Sequence, residues 1–545
     1  MQDNKNLILA VVLCLIVLFG WGYVAEYMGW APKPQMPAQE SEKTVAPQKQ
    51  SLPVQETTIP VFTPSPGRDF PVNTPLYDAV FYTGGGSLRS FVLKNYHTGI
   101  LPDSPLVNLV DEHTALVAPL GLVVNGQPSW STGKWSISGN SSSLVVQNGE
   151  GSFTLTGETD NFIISRHFTV SADTYLIKEK ITVANPDSKT RSARIRYTTA
   201  MDASQASGGQ YDSMRLAWDD NGSLDEESSS KTLTTTGVQA TGKIYWAGPM
   251  STYFLAAVIP SNPHGVTMMG RQEKTVFRTA VEGEETILAP GESREIEISY
   301  WIGPKDRAQL NAVSEQLAKS IDLGFFSGIA KGLLWLLEFF QKYVHNWGIA
   351  IILLTILIKA VFWPLTAKSY ASMEKMKELQ PMMLKIREKY KNNKEEMNKE
   401  VMALYKTYKV NPASGCVPIL IQLPVFFGLY QALLTSLALR HASFITYLPG
   451  TDIIWLADLS AKDPLYITPI VMGITMFLQQ RMSPPAQDPM QQKIMMFLPL
   501  IFTVLFLNFP SGLVIYWLVN NILSIFQQWL MMRKNRKKHP VAAKG

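Results

Sequence analysis

The stretch WGIAIILLTILIKAVFWPLTA, residues 347–367, decides the architecture. It carries one formal charge, Lys359, and at 1.5 Å per residue it reaches about 30 Å, the depth of a bilayer's hydrocarbon core. Four further apolar runs follow it, at 413–439, 465–480, 494–509 and 512–532, with short polar or basic loops between them. Upstream, from about 70 to 304, polar and apolar residues alternate instead. The whole-chain figures, 17% charged and 46% hydrophobic over 545 residues, therefore average two unlike parts. They exclude a single soluble globule, for which about 25% charged residues is usual, and equally a disordered chain.

Working outward, residues 7–25 form a further uncharged run followed by Trp21, Tyr23, Glu26 and Tyr27 rather than by small residues. This reads as an uncleaved membrane anchor (1–27), not a signal peptide. Eight prolines among Gln, Lys, Glu, Ser and Thr at 31–66 make an extended tether (28–68). The segments GSFTLTGETDNFIISRHFTV, TYLIKEKITVAN, RSARIRYTTAM, IYWAGPMSTYFLAAVI and REIEISYWIG have strand periodicity with turn residues between them, which predicts an antiparallel β-sandwich domain (69–322). Its carboxylates and histidines are scattered as solvated groups would be, with no metal-ligand or catalytic spacing. The triple glycine 84–86 reads as a turn, since no helix signal follows it. The only cysteines, Cys14 and Cys416, lie in apolar surroundings and supply no disulfide framework.

Helical spacing of Phe325, Ile329, Leu333, Leu336, Leu337 and Phe340, interrupted by Lys331, Glu338 and Lys342, predicts an amphipathic helix at 323–345 lying in the membrane interface. The spans then fall at 346–367, 412–439, 464–481, 493–509 and 511–532, six in all with the anchor. Loop 368–411 carries eleven Lys/Arg against six Glu between 368 and 410, and the tail 533–545 carries six Lys/Arg and no acid. Loop 440–463 has two Lys/Arg against three Asp. By the positive-inside bias, both termini, the basic loop and the short loop 482–492 face the cytoplasm, and the β-domain lies outside. The basic loop reads as a helical hairpin turning at 391–394. In it Met373, Met376, Met383, Ile386 and Tyr390 face Met397, Val401, Leu404 and Tyr408. Its basic faces suit anionic lipid or ribosomal RNA.

A charge in the hydrocarbon core is expensive and marks function. Lys359 sits about 18 Å along its span, with Thr355 one turn earlier on the same face. The last span carries Asn520, Asn521, Ser524, Gln527 and Gln528 in its cytoplasmic half, and the third span carries Gln422. Such a lysine with a polar stripe at matching depth points to a hydrophilic groove open to the cytoplasm. No Asp or Glu occurs in the five later spans, which argues against a cation-coupled transporter. The apolar outer halves argue against a pore. A half-depth groove suits a substrate that arrives in the cytoplasm and leaves sideways into lipid, such as a hydrophobic protein segment with a short polar flank. The spans at 465–478 and 494–509 are short enough to thin the bilayer around them. A channel or secondary transporter, or a tethered periplasmic glycan-binding protein, are the alternatives.

The stretches KAVFWPLTAKSYASMEKM (359–376), KVNPASGCVPILIQLPVFFGLYQAL (409–433), ITPIVMGITMFLQQRMSP (467–484) and DPMQQKIMMFLPLIFTVLFLNFPSGLVIYW (488–517) closely resemble the YidC/Oxa/Alb family of membrane protein insertases. The resemblance implies the Gram-negative form: five core spans plus an N-terminal anchor in the inner membrane, and a periplasmic β-supersandwich. It implies a non-enzymatic insertase and chaperone for nascent inner-membrane proteins, without cofactors, acting alone or with the Sec translocon, with ribosome and signal recognition machinery as further partners. The family's groove residues fall on Lys359, Thr355, Gln422, Tyr516, Trp517, Asn520 and Asn521, with Ser524 on the same stripe. Two positions depart from the family pattern. Lys359 stands where relatives usually carry Arg, and an ammonium, unlike a guanidinium, can give up its proton. Trp517 stands where relatives often carry Tyr.

Overall fold

A computed structural model describes residues 66–101, 103–131, 135–139, 141–203, 212–410, 417–482 and 489–538, in two compact units divided between Ile321 and Asp322. The expected anchor at 1–27, nearly all of the tether and the end of the basic tail lie outside the described residues.

The first unit is built on β-sheets. A nine-stranded sheet runs, in spatial order, Ser223–Glu227, Arg215–Asp220, Ile244–Met250, Phe254–Pro260, Ser293–Pro304, Leu176–Ala184, Phe162–Ser171, Glu150–Thr159 and Ser136–Ile137. A six-stranded sheet centres on Val276–Glu282 and Ile195–Asp202, and a five-stranded sheet on Tyr77–Tyr82 and Ser87–His97. Period-two sequence produces period-two burial. Along Phe162–Ser171, Phe162, Ile164, Phe168 and Val170 point inward while Ile163, His167 and Thr169 point out. The glycines 84–86 form the turn between two strands, and Gly86 takes φ +59 with Trp135 packed where a Cβ would lie.

One expectation fails here: not every charge in this unit is solvated. Arg166 occupies an inward position and is fully buried. It pairs through Nε and Nη2 with both oxygens of buried Glu179, and donates to the carbonyls of Gly86 and Leu120. Tyr300 donates to Glu179 Oε2 at 2.9 Å. Burial, and then the Glu179 carboxylate, push the Tyr300 hydroxyl's pKa well above its ordinary value, so it remains a donor. Alternation puts Arg166 on the inward register with Ile164 and Phe168, and Glu179 with Ile177 and Ile181, but that the two charges meet is decided by the register between the two strands.

The second unit is helical: α1 Ser327–Val344, α2 Trp347–Lys389, α3 Lys394–Thr407, α4 Val417–Thr435, α5 Ile467–Met482, α6 Pro489–Phe506 and α7 Ser511–Lys538. A two-stranded hairpin, Ile445–Tyr447 with Ile454–Leu456, occupies the loop between α4 and α5. The span and the first arm of the basic hairpin are one continuous helix of 43 residues, α2, and not two elements meeting near 367. Asn346 caps its start, its side chain accepting from the Ile349 amide at 3.0 Å. Pro364 and Pro381 stand inside it without ending it. The second arm is α3. The seam between the arms buries Leu379, Met383, Tyr405 and Val410, with Met376, Val401 and Leu404 against them. Of the residues expected there, Tyr408 is exposed instead.

Among the described residues two helices are long and apolar enough to cross a membrane, one within α2 and one at Ser511–Arg533, while Leu420–Thr435 and Met495–Phe506 are shorter apolar helices. A common core of Leu333, Leu337, Ile351, Leu354, Leu429, Leu433, Met472, Phe506, Leu513 and Tyr516 joins α1, α2, α4, α5, α6 and α7. Close helix approach depends on Gly473, where a Cβ would stand 2.0 Å from Thr503 Oγ1. Asp463 holds the start of α5, accepting from the Thr468 amide at 2.7 Å and hydroxyl at 2.8 Å, and from the Trp455 indole at 3.0 Å. On α1, Ala330, Leu333 and Leu337 face the core and Trp335, Phe339 and Tyr343 face away.

Candidate functional site

The polar residues of the helical unit fall into two groups. In the first, Lys359 of α2 reaches α7 and donates to Ser524 Oγ at 2.6 Å and to Asn520 Oδ1 at 3.2 Å. Asn520 and Ser524 are one helical turn apart, so both face Lys359. Ser524 in turn donates to its own helix at the Asn520 carbonyl, 2.7 Å away, and the Tyr370 hydroxyl lies against it. No carboxylate pairs with Lys359 among the described residues. The ammonium is thus held by neutral side-chain oxygens. Two of its three N–H groups are engaged and the third has no partner among the described residues.

Two turns further along α2 from Lys359, Thr366 and Gln527 of α7 exchange hydrogen bonds at 3.2 and 2.8 Å, and Gln527 also donates to the Trp363 carbonyl at 3.3 Å. Asn521 turns away from α2 and its amide approaches Thr475 of α5 at 3.4 Å. The stripe on α7 therefore divides. Asn520, Ser524 and Gln527 serve the α2 side, and Asn521, about 100° around the helix, serves α5. Thr355 does not join this group: its hydroxyl donates back to the Ile351 carbonyl at 2.7 Å, inside the apolar core.

The second group joins α4 to α7. The Tyr516 hydroxyl lies against Gln422. Trp517 is walled by Phe426 at 5.1 Å, Phe506 at 5.5 Å and Phe502 at 6.1 Å between ring centroids. The structure thus unites Lys359 with Asn520 and Ser524, and Gln422 with Tyr516, while Trp517 meets α4 through Phe426. It leaves Thr355 and Asn521 in other contacts. Tyr370, Thr366 and Thr475 were not singled out from sequence. Tyr370 lies past the expected end of the span, and single threonines in apolar helices usually bond their own backbone.

Long apolar helices carrying a cation with no counter-ion among the described residues, in a chain that also has a β-sheet unit, define a helical membrane-protein unit with an internal polar site. The chain matches the family described as 60Kd inner membrane protein over residues 339–538, and the YidC periplasmic domain over residues 69–336. It is 53% identical over 538 residues to the membrane protein insertase YidC of Nitratidesulfovibrio vulgaris strain DP4, covering 98% of this chain and all of that one. It is 50% identical to the same-named protein of Lawsonia intracellularis, with the same coverage. A crystal structure of an active YidC insertase with its first transmembrane domain resolved is 18% identical at a TM-score of 0.35, over 86% of this chain and 94% of that one. The chain belongs to the YidC family of membrane protein insertases.

Proposed function

We propose that this chain inserts and folds membrane proteins, and that Lys359 with Asn520 and Ser524 is where the polar flank of a client first lodges. The observation that carries the reading is a cation held in a helical membrane unit by neutral oxygens, with no counter-ion and one donor left over among the described residues. A cation already neutralised by a carboxylate would attract nothing. This one draws acidic or hydrated flanks into the inner half of the bilayer. At an effective dielectric near 20 the attraction is about 4 kcal/mol at 4 Å, enough to favour capture without trapping the client. Tyr516, Trp517 and Gln422 then line the path of the apolar segment, and Thr355 and Asn521 hold the helices that frame it.

The same reading places the chain in the inner membrane of a Gram-negative cell. It has six spans counting the anchor, both termini and the α2–α3 hairpin in the cytoplasm, and the β-domain in the periplasm. The aromatic side of α1 meets the outer interface. The Sec translocon is a working partner, and the basic hairpin and tail meet ribosome, signal recognition machinery or anionic lipid. Purified full-length protein in proteoliposomes, carrying a photocrosslinker at position 516, should crosslink to a membrane protein as it is synthesised and not to a secreted control. Equal labelling of both would overturn the client-path assignment. Cysteine labelling that found Lys391 on the periplasmic side would overturn the orientation.

A further inference from the structure

Two buried N–H donors of the second polar group have no acceptor among the described residues: Gln422 Nε2 on α4 and Trp517 Nε1 on α7. The Tyr516 hydroxyl lies beside Gln422. Both donors belong to one contact. Phe426, one turn after Gln422, packs edge-on against Trp517, and the remaining wall is Phe502 and Phe506. A donor in an apolar, water-poor surrounding costs free energy unless an acceptor reaches it. Both groups are donors, so what completes them is an acceptor.

The same unit shows what such an acceptor can be. Pro499 inside α6 has no N–H, so the carbonyl four residues earlier, that of Met495, loses its helical partner. The side-chain amide of Gln480 on α5 donates to that carbonyl. A glutamine amide satisfying a proline-freed carbonyl is thus already used between two helices of this chain.

Resting on the insertase reading above, we infer that Gln422 and Trp517 form an acceptor-selective subsite. It engages client segments that present an unpaired backbone carbonyl, as a proline-containing transmembrane segment does. The subsite supplies a temporary partner while the segment is not yet packed in lipid or against other helices. A regular helix, its interior carbonyls all bonded, gains nothing from it.

The test uses full-length protein in proteoliposomes and two single-span clients identical except for proline or alanine at mid-segment. Trp517→Phe keeps the aromatic wall and removes the donor, Gln422→Met does the same on α4, and Trp517→Tyr restores a donor at the relatives' residue. The first two variants should lower insertion of the proline client roughly fivefold relative to the alanine client, as expected for one neutral hydrogen bond, and Trp517→Tyr should recover most of the loss. An unchanged ratio between the clients in both donor-less variants would overturn the inference, as would an equal fall of both clients, which would make these residues packing elements only. Neither result touches the insertase reading, because wild-type protein must still insert the alanine client. Insertion of both clients without any protein would overturn that reading and the subsite with it.

Discussion

Arg166 in the β-domain and Lys359 in the helical unit are both cations drawn away from water, and they are held in opposite ways. Arg166 has a carboxylate on Nε and Nη2, backbone carbonyls on Nη1 and Nη2, and a tyrosine bracing the carboxylate. It is neutralised, with four of its five N–H groups bonded, and its fork fits bidentate pairing. Lys359 has two neutral oxygens and no counter-ion among the described residues. A neutralised buried pair contributes little net stability but is costly to break. An unneutralised one is costly to keep and persists where something else uses its charge. The first is an architectural pair; the second is the site proposed above to receive a client's polar flank.

The sharpest test of that contrast is Glu179→Ala, which leaves Arg166 buried and uncompensated. Unfolding of the β-domain, followed by denaturant titration of the full-length protein, should become easier by about 3–5 kcal/mol, while insertion continues as long as the helical unit stays folded. If insertion fails while that unit remains folded, the β-domain is no accessory.

Lys359→Ala should do the reverse: leave thermal unfolding almost unchanged and slow insertion of clients with acidic flanks about tenfold, a fraction of the unscreened attraction. Neutral-flanked clients should be affected less. Lys359→Glu should be worse than alanine, and Lys359→Arg should retain activity because the charge persists. Wild-type insertion of acidic-flanked clients by the alanine variant would make Lys359 an anchor whose ammonium snorkels to the cytoplasmic headgroups, not a client site.

The smallest effect is expected at Thr366→Val, which removes the exchange with Gln527. Interhelical hydrogen bonds in membranes average about 0.6 kcal/mol, so the variant should show a slight loss of thermal stability and unaltered insertion. A large insertion defect without a stability change would extend the working groove two turns toward the cytoplasm.

Much of this was legible in the sequence because two periodicities do not overlap. Alternation with β-branched and aromatic residues yields sheets, and uncharged runs near 20 residues yield membrane helices. A lysine inside such a run stands out on cost alone. Residues 520, 524 and 527 share a face by helical arithmetic, and the structure sets that face toward Lys359 and Thr366. The continuity of α2 was not legible. Prolines and a change from apolar to basic residues look like a boundary in one dimension, yet the helix passes through both.

By itself the sequence determined that a β-domain precedes a set of membrane helices, that one cation lies within them, and that the chain resembles insertases, because composition and period are properties of a segment and need no partner. Only the tertiary structure decided which polar groups find each other. Arg166 found a carboxylate and Lys359 did not. Thr355 bonded its own helix, Asn521 turned to α5, and Gln422 and Trp517 kept free donors among the described residues. Pairing depends on the rotation and approach of neighbouring helices and strands, set by contacts such as Gly473 against Thr503 that bring together residues distant along the chain.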